Sequence, residues 1–187
     1  MNTVPYAATD KSDGVLPASL SVLGATGSVG RQAIEVAEEY KIPLDIITAN
    51  TDVNGMEALA RKCKPRFCVM ADDLAARDLS TRLRDTGITV RGGEAALCET
   101  IREVNSPVTV NAILGEAGLL PTLACVSLGR RLALSNKETL VVAGELVKAE
   151  AKKTGCEIIP VDSEHSAIFQ CLHAGQKSEV KSILLTA

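Results

Sequence analysis

Leu20-Ser-Val-Leu-Gly24-Ala-Thr-Gly27-Ser-Val-Gly30 is the stretch from which the fold is read. A short apolar run ends in glycines spaced G-x-x-G-x-x-G, and a helical pattern follows. This is a variant of the dinucleotide fingerprint G-x-G-x-x-G. Gly24 lets the chain turn, Gly27 lets backbone approach a pyrophosphate, and Gly30 lets a helix pack close to a sheet. The first helical amides would face an anion, with the positive end of the helix dipole behind them. Thr26 and Ser28 add hydroxyl donors. The alternative is a tight turn with Ser28 as helix N-cap. Position on the first strand of a strand–helix series favours the dinucleotide reading.

Working outward, β-branched runs alternate with segments of helical period. Strands are predicted at Leu20–Leu23, Leu44–Thr48, Phe67–Met70, Ile88–Arg91, Val108–Ala112, Arg131–Leu134, Cys156–Val161 and Ser182–Leu185. Helices are predicted at Ser28–Tyr40, Gly55–Cys63, Leu74–Asp85, Ala95–Glu103, Leu119–Leu128, Lys137–Lys153 and His165–Leu172. In the first helix, Val29, Ala33, Val36, Ala37 and Tyr40 form the expected inward stripe. Alternation of this kind predicts an α/β fold, a Rossmann-like doubly wound parallel sheet. Ligands of such sheets bind beyond the carboxyl ends of the strands, so those positions carry the functional candidates. Residues 1–18 lack periodicity and are expected to form a flexible tail.

Composition narrows the function classes. The 187 residues include 46% hydrophobic side chains, enough for a sizeable core. No apolar run reaches the roughly 18 residues of a membrane-spanning helix. A net charge of −3 argues against a phosphate-backbone binder. Two Phe, two Tyr and no Trp leave few stacking faces for single-stranded nucleic acid. The expected partner is therefore a small molecule, with no nucleic acid and no membrane. Six cysteines without a C-x-x-C pair suggest reduced thiols in a cytoplasmic protein. No basic-then-apolar leader is visible at the N-terminus.

Three further strand ends carry chemistry. The second strand ends in Asn50-Thr51-Asp52, where a dinucleotide's adenosine ribose would lie. Neutral Asn50 and Thr51 leave the choice between a 2′-hydroxyl and a 2′-phosphate open, and a plain turn is the alternative. Ser135-Asn136-Lys137-Glu138 follows the sixth strand. There Lys137 could bind an anionic or carbonyl-bearing substrate, or simply sit solvated at a capped helix start. Pro160-Val-Asp162-Ser163-Glu164-His165 places two carboxylates at i and i+2. On a continuing extended path they would share one face and offer hard oxygens to Mg²⁺ or Mn²⁺. The alternative is a helix N-terminus rich in acids. His165 is expected to be a structural hydrogen-bonding residue, and the cysteines buried small hydrophobes.

Together, Gly24-Ala-Thr-Gly-Ser-Val-Gly30, Ala117-Gly-Leu-Leu-Pro-Thr-Leu123, Ser135-Asn-Lys-Glu138 and Pro160-Val-Asp-Ser-Glu-His-Ser-Ala-Ile-Phe-Gln170 resemble the 1-deoxy-D-xylulose 5-phosphate reductoisomerase family, from about Ser19 to Ala187. The resemblance implies an NADPH- and divalent-metal-dependent oxidoreductase of non-mevalonate isoprenoid biosynthesis. It isomerises and reduces 1-deoxy-D-xylulose 5-phosphate to 2-C-methyl-D-erythritol 4-phosphate, and the full-length family protein is a homodimer. By motif match, Gly24, Thr26, Gly27, Ser28, Val29, Gly30, Asn50, Asn136 and Glu138 would hold the cofactor. Lys137, Ser163 and Glu164 would be catalytic, and Asp162 and Glu164 would bind Mg²⁺ or Mn²⁺. The resemblance divides the chain into a cofactor domain at 19–161 and the opening segment of an α+β catalytic domain at 162–187.

The match departs from the family in two ways. The Gly-Lys-Asn type loop of NADPH readers is Asn50-Thr51-Asp52 here, without the lysine. The family chain also continues past Ala187 with a serine- and glycine-rich phosphate loop, a lid, a third metal carboxylate and a helical domain. The chain is thus expected to be an N-terminal portion that is inactive alone. Two other readings compete: a non-catalytic dinucleotide module, and a semialdehyde-dehydrogenase-like enzyme that would need an activated cysteine.

Overall fold

The computed structural model describes residues 16–184. Seven strands form one sheet among them: β1 (Leu20–Leu23), β2 (Leu44–Ala49), β3 (Phe67–Met70), β4 (Thr89–Gly92), β5 (Val108–Asn111), β6 (Arg131–Leu134) and β7 (Ile158–Pro160). Their order is β4-β3-β2-β1-β5-β6-β7, and every pair is parallel. The helices between them are α1 (Ser28–Glu39), α2 (Val53–Cys63), α3 (Asp73–Arg82), α4 (Glu94–Val104), α5 (Leu119–Val126) and α6 (Lys137–Thr154), with α7 (Ser163–His173) after β7. A 3₁₀ turn at Gly115–Gly118 precedes α5.

Alternate strand residues feed two separate cores, which is why the strands read as near-continuous apolar runs. Leu20 and Val22 of β1 with Cys68 and Met70 of β3 face one side, covered by α1, α2 and α3. Leu23 of β1 with Phe67 and Val69 of β3 face the other, covered by α4, α5 and α6. The fold is a Rossmann-like, doubly wound α/β sheet. The chain leaves β1 toward β2 on one side and later returns to β5 on the other. The crevice at the carboxyl ends of β1 and β5 is the topological switch point.

Several sequence expectations change. The inward face of α1 is Gly30, Ile34 and Ala37, whereas Val36 and Tyr40 are 51% and 52% exposed. The face turns because Gly30, with no side chain, sits where α1 meets the sheet. The seventh strand is shorter than Cys156–Val161: the Cys156 amide closes α6 on the Ala151 carbonyl, and pairing begins at Ile158. The last helix starts at Ser163 rather than His165, because Asp162 caps it. Ser182 to Leu184 pairs with no described strand, and Leu185 lies outside the described residues. The expected tail falls outside them too, apart from residues 16–18.

The amino ends of the strands are tied by a buried polar cluster. The Ser19 and Ser106 hydroxyls donate to Asp45 Oδ2, Ser106 at 2.7 Å, and Ser21 meets Ser106 at 2.6 Å. Arg66 Nη1 lies 3.3 Å from Asp45 Oδ1. One carboxylate thus joins the starts of β1 and β2 to the loop before β5. Replacing it strands buried hydroxyls, so Asp45→Ala is expected to lower stability by about 2 kcal/mol. Urea unfolding checks this; an unchanged midpoint would mean the hydroxyls find other acceptors.

Candidate functional site

At the carboxyl end of β1 the chain turns at Gly24, whose φ is +81°. Thr48 of β2 holds that turn. Its hydroxyl accepts the Gly24 amide at 2.9 Å and its carbonyl accepts the Ala25 amide at 2.7 Å. A Cβ on Gly24 would lie 2.7 Å from the Ala112 carbonyl oxygen, and one on Gly30 would lie 2.2 Å from that of Gly24. Turn, sheet and helix are therefore stacked backbone on backbone. Gly27 differs: its φ is −75°, and a Cβ there would meet only Gly24 O at 3.4 Å. The packing of the chain does not require Gly27 to be bare.

Helix α1 starts on Gly27 without a side-chain cap, so the alternative role of Ser28 as N-cap is not what forms. Gly27 and Ser28 are exposed and Thr26 is half-buried. No acidic residue occupies the first turn. An uncapped helix start on a glycine turn is a ready anion-binding surface. Arg31 adds a cation beside it, its Nε donating to the Thr26 carbonyl at 2.9 Å. Sequence reasoning stopped at Gly30 and missed both Arg31 and Thr48. The arginine directly follows the glycine pattern, a signal that was available.

At the second strand end, Asn50 and Thr51 are exposed. Asp52 is used as the cap of α2, accepting the Gly55 amide at 2.9 Å. The turn alternative thus accounts for Asp52 and leaves Asn50 and Thr51 facing solvent.

Asn136 lies beyond β6, only 2% exposed. Its amide nitrogen donates to the carbonyls of Ile113 and Gly115, and its oxygen accepts the Thr139 amide at 2.8 Å. The side chain expected at the cofactor is thus consumed in clamping the 113–118 segment to the start of α6. Asn111 supports the same segment from β5. It donates to Thr122 Oγ1 at 2.8 Å and to the Gly118 carbonyl at 3.2 Å, and it accepts the Ile113 amide. Sequence reasoning missed Asn111, although a polar residue closing an apolar strand was its signal. Thr139 Oγ1 is buried with no partner, an unusual state for a hydroxyl. Glu138 is exposed.

A pocket of about 220 Å³ opens where β6 and β7 end. Leu134, Leu140, Ile158 and Pro160 form apolar walls, Lys137 and Asp162 bring charge, and His165 adds an imidazole. Asp162 is the N-cap of α7: Oδ1 accepts the His165 amide at 3.1 Å and lies 3.0 Å from His165 Nδ1, while Lys137 Nζ is 3.3 Å from Oδ2. The hydrogen bond donated by the His165 backbone amide is the main cause that holds the Asp162 carboxyl below the usual carboxylate range, with Lys137 adding to it against partial burial. Asp162 in turn raises the Lys137 ammonium. The extended path expected through Asp162 and Glu164 does not continue, because helix α7 begins between them. Glu164 is exposed and accepts the Ser163 hydroxyl at 2.8 Å, outside the pocket. Ser163 and Glu164 thus do not line the pocket, although the Glu164 charge still helps raise the Lys137 ammonium.

Asp162 and Glu164 supply hard oxygens, as Mg²⁺ or Mn²⁺ prefers. The carboxylate of Asp162 already collects an ammonium and an imidazole, so its surroundings suit a cation. Among the described residues no group of three or more His, Cys, Asp or Glu side chains is placed to hold a metal. The acid pair fits such an ion in kind and supplies part of a ligand set.

The cysteines argue against thiol catalysis. All six are unpaired. Burial pushes the Cys125 and Cys68 thiols up to about 12 and those of Cys63 and Cys156 up to about 11. A catalytic thiol needs the opposite shift. Burial holds for Cys68, Cys125 and Cys156, but Cys171 is exposed. Among the described residues no helix is long and apolar enough to cross a membrane.

Comparison with known proteins identifies the family. The family model for 1-deoxy-D-xylulose 5-phosphate reductoisomerase matches residues 20–144, and that for its C-terminal domain matches residues 158–187. The reductoisomerase of Ruminiclostridium cellulolyticum is 38% identical over 168 residues, 90% of this chain and 44% of that protein. That of Bacteroides fragilis is 41% identical over 170 residues, with the same two coverages. The Zymomonas mobilis enzyme, solved in complex with NADPH, superposes with a TM-score of 0.80 at 36% identity, covering 84% of this chain and 42% of that one. A reductoisomerase structure with NADPH, fosmidomycin and magnesium gives 0.77 at 38% identity, covering 82% and 38%. The chain spans less than half the length of these relatives. It belongs to the 1-deoxy-D-xylulose 5-phosphate reductoisomerase family.

Proposed function

We propose that this chain binds NADPH across the switch-point crevice and supplies part of the metal and substrate site of a reductoisomerase. The reaction is the isomerisation and reduction of 1-deoxy-D-xylulose 5-phosphate to 2-C-methyl-D-erythritol 4-phosphate. The observation that carries this reading is the uncapped, exposed start of α1 on the Gly24–Gly30 turn. Backbone amides at Thr26, Gly27, Ser28 and Val29 would hold the pyrophosphate, with Arg31 adding positive charge. Gly24 and Gly30 set the turn that aims them. Asn50 would meet the adenosine side. Asn136 acts by fixing the 113–118 segment that borders the nicotinamide half, and Glu138 would lie near it.

The division follows the same logic. Residues 19–161 would form the cofactor domain, and 162–187 would open the metal- and substrate-binding part. Asp162 and Glu164 would hold Mg²⁺ or Mn²⁺, with further ligands from outside the described residues. When bound, NADPH supplies the hydride and the metal polarises the substrate carbonyl and stabilises the alkoxide that develops. Lys137 would meet substrate oxygens as a point charge, and Ser163 would contact the substrate. The homodimer of the full-length family protein and a cytoplasmic location complete the proposal, the latter in keeping with six unpaired cysteines.

A titration of nicotinamide fluorescence tests the cofactor half. Saturable NADPH binding well below millimolar is expected, and no binding at millimolar cofactor would overturn it. With substrate and Mg²⁺ added, the 187-residue chain is expected to consume little NADPH, because its described residues supply only part of the metal and substrate site. Robust turnover would refute that account of the site.

A further inference from the structure

Lys137 opens α6 after β6, and Asp162 opens α7 after the neighbouring strand β7. The two strand ends bring the side chains together at 3.3 Å. Asp162 is only 10% exposed, and both its oxygens are occupied: Oδ2 by the Lys137 ammonium, Oδ1 by the backbone and ring of His165. Lys137 is 55% exposed and lines the same pocket, so its ammonium has open space to move into once released.

A divalent cation and an ammonium cannot share one carboxylate oxygen without repulsion, since like charges a few ångströms apart oppose each other even in water. The Oδ1 side offers no easier route, because that oxygen caps α7. We propose that Lys137 stays tied to Asp162 until a divalent cation takes Oδ2, and that metal loading frees the ammonium for the pocket. The inference rests on the metal reading of Asp162 given above. It imposes an order: metal first, then an oxygen-bearing, anionic substrate group on the released Lys137. The competing account is a static ion pair that joins α6 to α7 and takes no notice of metal.

Two measurements on the 187-residue chain separate these. Manganese binding is followed by the paramagnetic resonance of free Mn²⁺ for the parent, Lys137→Met and Asp162→Asn. Removing the competing ammonium is expected to tighten Mn²⁺ binding by about threefold or more, the scale of an exposed ion pair, and Asp162→Asn to lose it. Acylation of Lys137, quantified by mass spectrometry, is expected to speed up in the parent when Mg²⁺ is added. In Asp162→Asn it should be fast with or without Mg²⁺. The second measurement needs no substitution at Lys137. Equal or weaker Mn²⁺ binding by Lys137→Met, with binding still lost in Asp162→Asn, would overturn the competition and leave the metal reading standing. Absence of Mn²⁺ binding in all three proteins would overturn both.

Discussion

Gly30→Ala is expected to abolish measurable NADPH binding and to lower stability by about 3 kcal/mol, the upper range for forcing atoms into a packed site. The added methyl would lie 2.2 Å from the Gly24 carbonyl oxygen and 2.8 Å from Ala25 Cα. Both obstacles are backbone, so no side chain can swing aside. Gly24 cannot retreat either, because it is wedged against the Ala112 carbonyl and held by Thr48. Relief must come from α1 moving off the sheet, which uncovers Ile34 and Ala37. The same movement misaims the amides at the start of α1. Gly27→Ala is the discriminating partner. Its methyl has only a 3.4 Å contact and its backbone is ordinary, so the fold is expected to melt as the parent does. NADPH affinity should still fall, by about tenfold or more, because the Cβ would stand where the proposed site receives the pyrophosphate. Thermal melts and nicotinamide fluorescence on both variants check the pair. Parental stability and affinity in Gly30→Ala would refute the stacked-backbone account.

That glycine also separates what spacing and hydrophobic period each tell: the spacing marked Gly30 as the close helix–sheet contact, and the period did not. The parallel sheet was legible because its central strands are buried on both faces, so β1 and β3 emerge with their observed ends, as does the half-buried β6. The inward face of α1 was not. Hydrophobic period favours large apolar residues, and it assigned Val36 and Tyr40 to a core that is built on Gly30. Close backbone packing leaves no apolar side chain to count. The extended path expected through Asp162 and Glu164 failed for a related reason. Spacing of i and i+2 has meaning only if the strand continues, and Asp162 ends it by capping α7. Asp-x-x before a helical run was itself a capping signal. Lys137 and Asp162 were each legible as chemistry-bearing residues. Their 3.3 Å contact depends on β6 and β7 lying side by side, which no local pattern encodes.

Asn136 is the sharpest divergence between local and long-range reading, and it carries the second large effect. By family resemblance it is expected at the cofactor, while its place at a strand end also reads as a helix cap. In the fold its partners Ile113 and Gly115 lie more than twenty residues earlier, and both take its amide hydrogens. Asn136→Asp keeps the shape and the cap on the Thr139 amide. It replaces the donor by a carboxylate oxygen facing two carbonyl oxygens in a buried site. A loss of about 3 kcal/mol or more is expected, since buried donors are exchanged for an unpaired charge. The carboxylate can recover one donor by taking up a proton, so its folded pKa must rise above the ordinary value of about 3.9. The deficit should therefore grow as pH rises through that raised value and shrink toward acid. Asn136→Ala removes all three bonds and uncovers Gly118, over which the amide is packed. It should be destabilised to a similar degree without the pH dependence. Urea unfolding of both variants between acid and neutral pH reads the difference. If Asn136 served the cofactor rather than the fold, both variants would unfold like the parent and lose only NADPH affinity. The buried clamp requires instead that stability fall whether or not NADPH is present.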